Sequence, residues 1–131
     1  MSTTSFWREN NIGEEITKIL KDVPEYTPHH LGYPFLSAYQ IAIEFAHRHP
    51  DIVEKTNYKI GGVGTGEHTS LSQYIAQRLS VDVRDGRLPH VEGGFISNWH
   101  LHNISFDYEG EVIHSSLTGT QFTLSMFRYK E

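Results

Sequence analysis

The chain has 131 residues, 37% of them hydrophobic and 21% charged, which describes an ordinary globular protein able to bury roughly two-thirds of its unfolded surface around one core. A formal net charge of −5 disfavours a broad electrostatic grip on nucleic acid, and no apolar run approaches the length of a membrane span. The absence of cysteine removes disulfides, thiolate nucleophiles and every Cys-based metal or cluster site, which fits a reducing compartment. The first residues lack the charged-then-apolar order of a secretion signal, so a cytoplasmic location is expected. The nine histidines are the one compositional oddity, and they make net charge drift upward as pH falls through the sixes.

Phe6 and Trp7 stand near the start among polar residues, outside any firmly expected element, and are read as exposed or in contact with another chain. Asn11, with Glu14 three residues later, looks like a helix start, followed by an apolar stripe of Ile12, Ile16, Ile19, Leu20 and Val23 that Pro24 ends. Glu14–Lys18 and Lys18–Asp22 are spaced for i,i+4 charge pairs on its outer face. Residues 25–33 read as an irregular link. A second helix is expected from about Pro34 to His49, with Pro50 as its stop, and its nearly all-round apolar character places it in the middle of the fold. A short helical turn follows at Asp51–Lys55. The third helix has the best start signal, a capping-box pattern of Ser70 and Gln73 ahead of Leu71, Tyr74, Ile75, Leu79 and Val83, and Gly86 sits where a helix C′ residue would.

Beyond a looser segment, Pro89 to Asn98, the period changes to two. In Trp99–Tyr108 the residues His100, His102, Ile104, Phe106 and Tyr108 share one face. A two-residue Glu109-Gly110 turn pairs Tyr108 with Glu111 and Phe106 with Ile113. A second turn at Gly119-Thr120 pairs Ile113 with Met126 and Glu111 with Arg128. The row Phe106–Ile113–Met126 then forms the buried face of a meander.

The segment Ile60 to Ser70 nearly spells a phosphate-binding loop. Gly61 and Gly66 have the required spacing, but Glu67 stands where the lysine belongs and His68 where the hydroxyl belongs, so a carboxylate would face the phosphates. With Gly61, Gly62, Gly64 and Gly66 in six residues, a flexible turn leading into a helix is expected, where helix-start N–H groups remain able to hold a small anion or a partner's carboxylate. His100 and His102, two apart on one strand face, have the spacing of two metal ligands. The two-residue turn points His114 to the other face and denies them a third, so they are read as finishing the apolar face. Glu44 and His47 repeat the Glu-x-x-His spacing of di-iron bundles, but in a single copy. No Gly-x-Ser-x-Gly elbow appears.

These observations lead to an α+β fold, three helices followed by a three-stranded antiparallel β-meander, in one compact domain over residues 1–131. The expected function is a small non-catalytic protein-interaction module, an accessory or regulatory subunit or an immunity-type inhibitor, needing no cofactor. Its partner is another protein chain or a second copy, with Phe6, Trp7 and Trp99 as contact candidates. For Trp99, packing on the core is the plainer reading. Two rival classes are a winged-helix DNA-binding regulator, with the third helix as reader and the hairpin as wing, and a His-based metal-dependent enzyme. The acids Asp107, Glu109 and Glu111 at the wing tip weigh against DNA. A basic stripe on the third helix would favour nucleic acid, and an exposed aromatic patch there a protein partner.

Overall fold

The computed structural model describes residues 3–24, 28–62, 70–117 and 123–131. Over these the chain is a small α+β protein with antiparallel sheets, in the order α1 (Thr3–Glu9), α2 (Ile12–Lys21), β1 (Leu36–Ser37), α3 (Ala38–Arg48), α4 (Pro50–Thr56), α5 (Leu71–Arg84), β2 (Val91–Ile96), β3 (Ser105–Tyr108), β4 (Glu111–His114) and β5 (Leu124–Tyr129). No helix among the described residues is long and apolar enough to cross a membrane.

Helix α2 lies where its stripe places it and buries Ile12, Ile16, Ile19 and Leu20. Its entry residue Asn11 is left-handed (φ 52°) and makes no side-chain cap, because the chain turns there out of an additional helix, α1. On its surface Lys18 pairs with Glu15 at 3.0 Å. Helix α3 begins later than expected. Leu36 and Ser37 pair with β5 as a two-residue strand, and Ser37 then caps the helix in a full capping box with Gln40. Pro50 occupies the first turn of α4, where its missing N–H costs nothing, so it opens that helix as well as following α3. Helix α5 starts at its Ser70 cap as expected, and Gly86 follows its end with φ 74°.

The expected three-stranded meander is corrected. β3 and β4 form a separate hairpin in the anticipated register, Phe106 opposite Ile113 and Tyr108 opposite Glu111. Glu109 (φ 52°) and Gly110 (φ 82°) supply the two left-handed residues of a type I′ turn. β5 does not join them. It is the middle strand of a second sheet, order β1-β5-β2, with Arg128 opposite Glu92 and Met126 opposite Gly94 and Ser37. The expected pairings of Glu111 with Arg128 and Ile113 with Met126 therefore do not form, and the proposed turn at Gly119-Thr120 lies outside the described residues. β2 falls in the segment read as loose, where Gly93-Gly94 interrupts any alternation.

One hydrophobic cluster joins α2, α3 and α5 to the inner face of the larger sheet, with Ile16, Leu20, Ile41, Phe45, Ile75, Leu79, Val91 and Phe127 at its centre. Phe106 and Ile113 are half-buried at its margin, and Phe106 stacks on Tyr39 with ring centres 5.0 Å apart. Trp7 is also inside, 2% exposed, which overturns the expectation of an exposed contact residue. Phe6 is half-buried beside it. The reason is α1: once Thr3–Glu9 is helical, Trp7 faces Tyr74 edge-on at 5.6 Å and can reach a buried acceptor, Asp82.

Candidate functional site

The outward stripe of α5 carries Gln73, Gln77, Ser80 and Arg84, spaced so that all four share one face, while Leu71, Tyr74, Ile75, Leu79 and Asp82 turn inward. Between this helix and strands β2 and β5 runs a groove of about 660 Å³, lined by Ala76, Ser80, Val81 and Arg84 on one side and by Gly93, Gly94, Phe95, Ser125 and Phe127 on the other. Gly93 leaves one wall of it without a side chain. A side chain there would meet the ring of Phe127 at 2.9 Å, so the position stays bare. Phe95, two residues on, is 70% exposed. Beyond the strand Trp99 is 79% exposed and stacks on its neighbour His100, with its backbone N–H donating to Ser97 Oγ at 3.0 Å.

The charge on this face is modest. Arg84 donates to Asp85 at 2.9 Å, and that contact holds the Asp85 carboxyl below its ordinary range. Arg78 is the other cation of the helix, half-buried. The hairpin keeps its acids at the surface, with Asp107, Glu109 and Glu111 all exposed.

Gly61 (φ 130°) and Gly62 (φ 106°) adopt backbone conformations that favour glycine, whereas Gly64 and Gly66 lie outside the described residues. The donors that the helix start was expected to offer are already used. Leu71 N–H donates to the Lys59 carbonyl at 2.7 Å, Ser72 N–H to the Ile60 carbonyl at 2.9 Å, and Gln73 N–H to Ser70 Oγ at 3.2 Å. At this end of α5 the described backbone therefore presents no N–H cluster to an anion.

His100 and His102 do not share a strand face, because β3 begins only at Ser105 and His100 turns left-handed with φ 61°. His114, on β4, is engaged by Ser105 Oγ at 2.8 Å and Asn103 Nδ2 at 3.1 Å. Among the described residues no group of three or more His, Asp or Glu comes together to hold a metal ion. Glu44 and His47 meet at 3.9 Å on the surface of α3, where Glu44 also accepts from Arg48 at 2.8 Å.

Comparison with known proteins finds no match, whether of a family model, a curated protein or a solved structure.

Of the residues singled out in the sequence, Trp99 is at the surface, Trp7 is not, and neither histidine is paired into a site. Phe95 and the α5 stripe complete the candidate surface. Phe95 was visible only as an aromatic in a glycine-bearing segment, and its significance depends on β2 being a strand.

Proposed function

We propose that this protein acts by binding another protein chain through the α5 face, the groove beside it and the exposed aromatics Phe95 and Trp99, and not by chemistry. One observation carries this reading: the outward stripe of α5 is polar and nearly neutral, with Arg84 engaged by Asp85, while a large aromatic side chain stands exposed at the rim of the groove. Aromatic anchors of this kind dominate protein–protein contacts, whereas a nucleic-acid site needs a run of cations aimed at phosphates.

The connectivity favours a second reading. With the short helices α1 and α4 set aside as additions, helix α2, strand β1, helices α3 and α5, then strands β2 and β5, with β5 between the other two, follow the order of a winged helix. In that comparison α5 is the reading helix, and the segment joining β2 to β5 is an enlarged wing that contains the hairpin. Gln73 and Gln77 have the chemistry to read adenine edges. The exposed acids of that wing and the net charge of −5 weigh against DNA.

The test is affinity purification of the tagged protein from its native cell, in parallel with a Phe95→Ala, Trp99→Ala double variant. The expected result is a stoichiometric protein that co-elutes with the wild type and is lost with the variant, at an unchanged melting temperature. Labelled random duplex DNA should show no binding in low salt. Duplex affinity that falls steeply with salt, in the slope expected of several phosphate contacts, would reverse the order of the two readings.

A further inference from the structure

We infer that β2 is a self-association edge, and that two copies of the chain pair antiparallel through it about a twofold axis at Gly94. This rests on the protein-interaction reading and names the partner as a second copy. The larger sheet has two edges of unequal character. β1 is two residues long, too short to template another strand, whereas β2 has six residues and a single charge, Glu92. Among the described residues β2 pairs with β5 alone.

The direction of its free backbone groups follows from the register. Lys130 N–H donates to the His90 carbonyl at 2.7 Å, so bonded pairs alternate from there through Glu92–Arg128, Gly94–Met126 and Ile96–Leu124. Val91, Gly93 and Phe95 therefore turn their N–H and C=O groups to the open edge, and the Val91 N–H is taken by the Leu88 carbonyl at 3.1 Å. Among the described residues, Gly93 and Phe95 are left to receive a strand.

The side chains of that edge complement themselves. Gly93 and Phe95 lie on the same face of β2, one bare and one an exposed ring. Antiparallel pairing centred on Gly94 sets each Phe95 opposite the Gly93 of the second copy, at the mouth of the groove lined by Ala76, Ser80, Val81 and Phe127. The same register puts Glu92 opposite Ile96 of the second copy, so no like charges meet. An isologous contact of this kind closes as a dimer and does not propagate. One pair of strands and two rings make a small contact beside the interfaces of permanent dimers, so the dimer is reversible and depends on concentration.

The chain contains no cysteine, which makes a clean cross-linking test possible. Gly94 has nothing within 4 Å of an added Cβ, and a non-hydrogen-bonded antiparallel pair brings facing Cα atoms to about 4.5 Å, within disulfide reach. Under mild oxidation Gly94→Cys should form a covalent dimer, while Val112→Cys, exposed on the separate hairpin, should not. Sedimentation equilibrium should give a reversible wild-type dimer that Phe95→Glu weakens about tenfold or more, with unchanged melting because that ring is exposed. A chain that stays monomeric up to about 1 mM overturns the proposal, as does a dimer that ignores Phe95→Glu and leaves Gly94→Cys uncross-linked. Monomeric behaviour together with a different protein captured through Phe95 defeats the dimer and leaves the interaction reading standing. Monomeric behaviour with tight duplex binding defeats both.

Discussion

Trp7 and Asp82 show how one side chain ties the start of the chain to α5. The indole Nε1–H donates to Asp82 Oδ2 at 2.8 Å, both groups are buried, and the Arg8 guanidinium stands 3.9 Å from the other carboxylate oxygen. Gly13 makes the approach possible, since a Cβ there would meet Asp82 at 3.3 Å and Trp7 at 3.4 Å. Trp7→Phe keeps most of the ring but removes the indole donor from the buried Asp82 Oδ2, and should cost about 1–3 kcal/mol in urea unfolding. Trp7→Ala should cost about 3–5 kcal/mol through lost burial and a cavity. Equal stability of Trp7→Phe and wild type would show that the indole bond contributes nothing net. Tyr74, edge-on to Trp7, has its phenol pushed up to about 12, first by burial and then by Tyr58 beside it. The folded pKa exceeds the unfolded one, so the stabilisation is complete below the ordinary tyrosine range and is lost as pH rises toward 12. Thermal melts from pH 8 to pH 11 should therefore fall more steeply for the wild type than for Tyr74→Phe, and parallel curves would contradict the burial of that hydroxyl.

Beside the apolar core, single polar residues also join elements in this protein. Arg128 on β5 pairs with Glu92 on β2, donates through Nη1 to the Leu31 carbonyl at 2.6 Å and the Tyr33 carbonyl at 3.4 Å, and lies over the Phe35 ring at 4.5 Å. Those contacts hold residues 28–35, which have no regular structure of their own, against the sheet. Arg128→Ala should lower stability by about 1–3 kcal/mol and expose this segment to limited proteolysis before the rest of the chain. Lysine should not restore it, lacking the planar fork. Unchanged cleavage would assign the anchoring to the Tyr33–Tyr129 ring contact instead. Element by element, the sequence was most legible where the signal is local. The start of α5 at Ser70 and the Glu109-Gly110 turn involve groups within four residues of each other; the turn formed as expected, and Ser70 caps the helix by accepting from Gln73 N–H, one half of the expected capping box. Arg128 was rightly matched to an acid but to the wrong one. Glu111 and Glu92 offer it the same carboxylate, and Gly93-Gly94 concealed the strand that carries the one it uses.

At the scale of the whole molecule, the sheet order β1-β5-β2 decides what the surface can do. It withdraws β5 from the hairpin, leaves β2 as an edge strand beside α5, and brings Phe95 to the rim of a groove. The same packing brings the Lys59 and Ile60 carbonyls to the first donors of α5, so the N–H groups of Leu71 and Ser72 are not open to an anion. By itself the sequence determined the α+β class, the helices α2, α3 and α5 and the β3–β4 hairpin, because the 3.6-residue period, side-chain caps and left-handed turn residues act over a few positions. Only the tertiary structure decided which strands β5 joins, that Trp7 is interior, and that His100 and His102 do not form a pair. A strand with one apolar face fits several partners equally well, and the choice among them is made by the burial each arrangement achieves across the whole chain.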